Sequence, residues 1–224
     1  KKSTMQHLFT HGLYGESTKP TEIGEIPESW DLVKIDDLGE IVTGTTPPTK
    51  DQEYYNNGEY QFISPVDVGN TTGIYTTEKH ISQKGMSVSR VLPKYSICFV
   101  CIGSTIGKVG ITMVDESATN QQINTIIVNE RFDPFFTVYL LNFKSKYITG
   151  FSSPSPVPIL SKGKFSEITI MASHNKSEQK EIGRILLSID QKLEILESKK
   201  QTLNSLFQSM LNKLMSGEIR LKWL

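Results

Sequence analysis

The chain has 224 residues, 37% of them hydrophobic and 21% charged, enough for one globular domain of ordinary size plus an extension. Its 24 Lys and Arg balance 24 Asp and Glu, so net charge alone gives no pointer to nucleic acid. No run of 18 apolar residues is present, which leaves no candidate membrane span, and two cysteines without a disulfide framework suit a reducing, cytoplasmic setting.

Residues 1–14 contain STMQHLFTHG, read as the last turns of a helix that begins before the chain does; there is no initiator methionine and no signal peptide's apolar centre. A short internal repeat supports this reading. Met5-Gln6-His7-Leu8-Phe9-Thr10 aligns with Leu211-Asn212-Lys213-Leu214-Met215-Ser216, apolar on apolar and polar on polar, and a glycine (Gly12, Gly217) closes each copy. The chain thus reads as the end of one repeat unit followed by one full unit.

Residues 15–29 (GESTKPTEIGEIPES) are polar, carry Pro20 and Pro27, and read as a linker. The globular domain is expected over 30–175. WDLVKIDDLGEIVTG predicts a strand or short helix running into a Gly-Thr-Thr-Pro-Pro turn at 44–48. YQFISPVDV, SRVLPKYSICFVCIG, KVGITMV and INTIIVN are β-branched, bounded by turn residues, and predict strands. Phe136, Leu140, Phe143 and Tyr147 recur at helical spacing and predict a helix over 134–148, while ILSKGKFSEITIM (159–171) alternates like a strand.

Residues 176–216 predict one long helix without proline, with Asn175 and Glu178 placed as a capping box and 217–224 as a tail. Ile182, Leu186, Ile189, Leu193, Leu196, Lys200, Leu203, Phe207, Met210 and Leu214 alternate at steps of four and three, a coiled-coil seam over more than four heptads. Lys200 is its one polar member and a candidate for setting register or antiparallel orientation. At 1.5 Å per residue the helix is about 58 Å long, so its stripe needs another long helix. The fold class is α+β: a strand-rich globular domain followed by one long coiled-coil-forming helix.

Charge is unevenly distributed. Between Pro27 and Asp67 acids dominate, but Lys79, Lys84, Arg90, Lys94 and Lys108 face no acid within their interval, nor do Lys144, Lys146, Lys162 and Lys164 in theirs. Folded onto one face, these intervals would make an anion-binding surface.

Several motifs carry no chemistry. Cys98-Phe-Val-Cys101 has no second ligand pair, and residues three apart on a strand diverge, so two inert buried thiols are expected and no metal. Gly103-Ser-Thr-Ile-Gly107-Lys108-Val109 has three residues between its glycines, not four, and valine where magnesium needs a hydroxyl; it is not a phosphate loop. Asp36-Asp37 and Asp115-Glu116 are adjacent acids of solvated turns. With no nucleophile elbow, dinucleotide fingerprint or amino-methyltransferase motif, the chain reads as a binding protein without catalytic residues.

Together the pieces resemble the specificity subunit of Type I restriction–modification systems. Ile26-Pro27-Glu28-Ser29-Trp30 resembles the entry to that family's target recognition domain. Gly103-Ser-Thr-Ile-Gly107-Lys108-Val-Gly110-Ile111, Ala118-Thr119-Asn120-Gln121-Gln122-Ile123-Asn124 and Glu178-Gln179-Lys180-Glu181-Ile182 with Ile189-Asp190 follow in family order, and LFTHGLYGE before TEIGEIPESW resembles the junction after a first spacer helix. The chain departs from the family in lacking prolines before Glu178-Gln179, and in carrying one recognition domain and one spacer helix where a full subunit has two of each.

The resemblance implies a non-catalytic subunit that reads one half of a split double-stranded DNA target, with paired spacer helices setting the distance between half-sites. The second helix would come from a second copy in two-fold symmetry or from the other half of a longer subunit. It also implies a modification (methyltransferase) subunit carrying S-adenosylmethionine and an ATP-dependent restriction subunit as partners, with no cofactor on this chain. Lys180, Arg184, Lys192 and Lys199 on the outer helix face are candidates for docking the modification subunits. Lys79, Lys84, Arg90, Lys94, Lys144, Lys146, Lys162 and Lys164 are the candidate DNA-backbone contacts. Gln121 and Gln122 have the chemistry to read adenine but sit in a family-wide motif and are assigned a structural role. The competing reading is a coiled-coil scaffold that does not touch DNA.

Overall fold

A computed structural model describes residues 1–219, so positions 220–224 of the expected tail lie outside the described residues. The chain divides into two compact units between Leu186 and Leu187, and one helix runs through the division.

In the first unit, α1 (Lys2–His11) ends at Gly12, whose φ of +68° is left-handed, as the internal repeat anticipates. The stretch expected to be a linker is instead a hairpin, β1 (Thr18–Thr21) against β2 (Gly24–Pro27). Glu22 and Ile23 form its turn, Gly24 supplies φ +105°, and Pro20 is tolerated because the hairpin has only two strands. Ile26 is fully buried, so the segment belongs to the core and does not merely tether it.

The domain's main sheet has five strands in the order β4 (Gly39–Thr43), β12 (Ile123–Val128), β9 (Ile97–Val100), β10 (Val109–Thr112), β6 (Gly73–Ile74). All neighbours are antiparallel except β10 and β6. A second sheet runs β7 (Lys79–Ile81), β5 (Tyr60–Ile63), β11 (Glu116–Thr119), β8 (Leu92–Pro93). Ile63 packs with Val68, Ile74, Cys98, Val100 and Ile123, while its neighbour Phe62, pointing the other way, packs with Ile81, Met86 and Ala118. A third, two-stranded sheet pairs β3 (Asp31–Lys34) with β13 (Thr169–Ala172).

Three helices complete the unit: α2 (Gln83–Ser87), α3 (Pro134–Thr149) and α4 (Lys162–Glu167). The last corrects the strand expected over 159–171: Ser161 accepts a hydrogen bond from the Lys164 N–H and starts a short helix, and only Thr169–Ala172 is strand. An aromatic cluster joins α1, Trp30 and α3, with Phe9 5.2 Å from Phe143, 5.7 Å from Phe136 and 6.1 Å from Trp30 between ring centroids.

Helix α5 (Lys176–Met215) is the long helix. Asn175 caps it, accepting from the N–H groups of Ser177 and Glu178, but Glu178 does not reach back to complete a capping box. Its carboxylate is buried in the domain, because Trp30, Ser173 and Leu13 offer it three donors there. Within the first unit, Ile182 and Leu186 are fully buried. In the second unit, Leu193, Leu196, Leu203, Phe207, Met210 and Leu214 are each 38% or more exposed, and so are Ile195, Leu206 and Leu211 beside them. Lys200 is exposed among them and Ile189 is half-buried. Gly217 takes φ +76° just past the helix end, matching Gly12.

Candidate functional site

Antiparallel pairing puts four loops at one end of the five-stranded sheet. The Gly44 N–H donates to the Ile123 carbonyl (3.2 Å) and the Thr45 N–H to that of Thr119 (2.9 Å), seating the turn after β4 on residues 119–123. A Cβ on Gly44 would stand 2.2 Å from the Asn120 carbonyl oxygen, so only glycine allows this approach. The Cys101 N–H donates to the Gln122 carbonyl, and the Gly103 N–H to that of Pro158, which brings in the Gly103–Lys108 turn and the 153–159 segment. Gly103 and Gly107 hold φ of +99° and +89° in the turn between β9 and β10.

The amides of the Asn120–Gln122 turn are largely spent on structure. Asn120 Oδ1 accepts from the Gln122 N–H, its Nδ2 donates to Gln122 Oε1, and Gln121 Oε1 accepts from the Thr46 hydroxyl at 2.5 Å. Asn124 is buried, accepting from Thr43 Oγ1 at 2.8 Å and donating to Cys101 Sγ at 3.2 Å. Gln121 remains exposed at the surface of this end.

Of the eight candidate cations, five stand around this end and three do not. Arg90 donates to the Thr43 carbonyl at 2.7 Å and so stands at the loop end. Lys146, Lys162 and Lys164 are exposed and share that end: Ser145 donates to the Gly107 carbonyl at 2.6 Å, and Leu160, just before α4, donates to the Cys101 carbonyl. Lys164 lines a cavity of about 500 Å³ with Tyr147, Phe151, Glu22 and Glu167. Lys79, also exposed, sits on edge strand β7 opposite Phe62, at the same end of the second sheet.

The other three are placed differently. Lys84 pairs with Glu53 and, at 3.5 Å, with Asp51, and the Glu53 hydrogen bond holds its ammonium pKa above the ordinary value. Lys94 lies 3.8 Å from Asp115, past the far end of β8. Lys144 is half-buried, points to the Ile23 carbonyl at 3.4 Å between Phe143 and Tyr147, and burial lowers its pKa. The two basic intervals therefore do not form one continuous face.

No group of three or more His, Cys, Asp or Glu side chains is placed to hold a metal ion among the described residues. Cys98 and Cys101 are free and buried, the first accepting from Thr125 Oγ1 and the second from Asn124 Nδ2, and burial pushes both thiols up to about 12.

The first unit is thus a strand-rich domain, and the second is the exposed, apolar-striped length of a long helix. Residues 27–205 match the family described as the Type I restriction modification DNA specificity domain, and the chain belongs to that family. It is 33% identical over 189 residues to the Type I restriction enzyme MjaIX specificity subunit of Methanocaldococcus jannaschii, covering 82% of this chain and 42% of that relative. It is 31% identical over 203 residues to the HindI specificity subunit of Haemophilus influenzae, covering 87% of this chain and again 42% of the relative. The chain thus spans less than half the length of these two curated relatives. The same fold occurs in the HsdS subunit of Thermoanaerobacter tengcongensis (TM-score 0.62, 16% identity, 97% of this chain and 50% of that one). It also occurs in the S subunit from M. genitalium (TM-score 0.61, 20% identity, 84% of this chain and 46% of that one). No helix among the described residues is long and apolar enough to cross a membrane.

Proposed function

We propose that this chain reads one half of a bipartite double-stranded DNA target as the specificity component of a Type I restriction–modification complex. The observation that carries the reading is the family match over 27–205, which spans the loop end and most of the long helix. Arg90, Lys79, Lys146, Lys162 and Lys164 supply backbone contacts around the loop end; phosphate contacts set orientation, and base edges are read by side chains of the loops between them. Lys84, Lys94 and Lys144, already engaged with protein groups, contribute less. Methyl transfer and cleavage belong to separate subunits that carry S-adenosylmethionine and ATP, and this chain takes no cofactor.

The exposed stripe from Leu193 to Leu214 pairs with a second long helix, from another copy or from the other half of a longer subunit, and so sets the half-site spacing. The outer face, with Lys180, Arg184, Lys192 and Lys199, docks the modification subunits. Sequencing the methylated bases in a host that expresses the chain with its modification subunit tests the whole reading. A split motif with a constant gap is expected. The stripe also suits a scaffold with no DNA role, and that reading takes over if the complex forms but no new methylation motif appears.

A further inference from the structure

The connection from β5 to β7, residues 64–78 with the short strand β6 inside it, is fixed in its backbone and open at its surface. Asp67 ties its two ends together: the carboxylate accepts from the Ser64 N–H (2.8 Å), from Ser64 Oγ (2.7 Å) and from the Glu78 N–H (2.9 Å). Gly69, at φ +86°, lets the Lys108 side chain run across the loop, where a Cβ would lie 3.1 Å from Lys108 Cγ. The Tyr75 ring lies over Gly73, where a Cβ would stand 2.7 Å from it, and Gln61 Nε2 donates to the Tyr75 carbonyl at 2.6 Å. The Asn120 N–H donates to the Ile63 carbonyl, so the connection leaves β5 at the end where the other loops gather.

Two carboxylates stand on this connection, and they are used differently. Asp67 is fully engaged by its three donors. Glu78 is exposed, and no ion pair or hydrogen bond reaches its carboxylate among the described residues. It adjoins Lys79, a candidate phosphate contact, and would repel a DNA backbone held there. It lines a cavity of about 490 Å³ with Val66 and Tyr75, both about half exposed. An acceptor with no donor of its own, set beside apolar groups, has one counterpart among the bases. In the major groove cytosine offers its N4 amine with no acceptor beside it. Guanine and thymine offer acceptors that a carboxylate repels, and adenine sets an acceptor next to its donor.

We infer that Glu78 is a specificity-determining residue that accepts a hydrogen bond from the N4 amine of a cytosine in the half-site, with Val66 and Tyr75 against the apolar edge of that base. This rests on the DNA-reading function proposed above. The fixed backbone matters, because a carboxylate free to swing away from an opposing acceptor would reject no base.

The test uses the chain assembled with its modification subunit. The methylated bases of the host give the wild-type half-site, and each of its base pairs is then replaced in turn in short duplexes. Affinity is measured relative to the unaltered duplex. For E78A the preference for cytosine at one position falls by about tenfold, and the preferences elsewhere stay as they are. E78Q, whose amide donates as well as accepts, tolerates thymine at that position. Lys79→Gln weakens all duplexes alike, as loss of a phosphate contact does. Because each reading is a ratio between duplexes, a lower yield of folded complex does not move it. The inference is overturned if E78A keeps every wild-type preference, loosens a position other than a cytosine, or weakens all duplexes alike, and equally if E78Q still rejects thymine. A wild-type complex that prefers no base at any position overturns the DNA-reading function instead.

Discussion

At the residue scale, burial decides what each reactive group can do. Cys98 and Cys101, read from the sequence as inert buried thiols, are both enclosed, and burial pushes each thiol up to about 12. The thiolate is the nucleophile, so at pH 8 the folded protein should resist alkylation by iodoacetamide and take up two labels only when unfolded, as counted by mass spectrometry. Rapid labelling of the native chain would show an access route absent from this fold. From the ordinary thiol pKa of about 8.5 upward, the unfolded chain sheds protons that the folded chain retains, so stability falls as pH climbs toward 12. Trp30 shows the same logic in a polar group: a fully buried indole is tolerable because its N–H finds Glu178.

At the scale of elements, α5 does two jobs with one heptad pattern. Ile182 and Leu186 bury into their own domain, whereas the apolar residues from Leu193 onward are exposed. A continuous seam in the sequence is thus divided between residues packed inside the domain and an exposed stripe, and periodicity alone cannot mark the division. Phe207→Asp should abolish pairing of the long helices, read by sedimentation, while the domain's stability in thermal melting changes by less than about 0.5 kcal/mol, as for a surface substitution. Pairing that survives this change would place the interface on another face. Lys200→Leu should leave association intact but loosen its geometry, visible as a broadened gap preference in the methylated motif; an unchanged motif means the lysine is merely tolerated.

At the scale of the molecule, the balance of charge is local. Acids and bases cancel over the chain, yet Lys79, Lys146, Lys162 and Lys164 stay exposed with no ion-paired carboxylate among the described residues, whereas Lys84 is neutralised by Glu53 and Asp51. Reversing the first four to Glu should weaken DNA binding by the assembled complex and reduce the slope of log affinity against log salt by about 0.9 for each phosphate no longer neutralised. Lys84→Glu alone should leave that slope nearly unchanged. A slope untouched by the fourfold reversal would move the DNA surface away from the loop end.

Patterns with a short period were legible without coordinates. The 3.5-residue repeat announces the long helix, the β-branched runs announce most of the strands, and the valine after Lys108 removes the phosphate loop, because each signal depends on neighbours a few positions away. Long-range pairing was not legible. The hairpin at 18–27 reads as a linker until Ile26 is seen to be buried, and 159–171 alternates like a strand until Ser161 caps a helix within it. Glu178 shows the limit most clearly. Three positions after Asn175 it fits a local capping box, but its three donors lie on Leu13, Trp30 and Ser173, the first two 165 and 148 residues away in sequence. Local spacing could nominate that carboxylate, but only the packed domain, where a buried charge must find every available donor, could assign it.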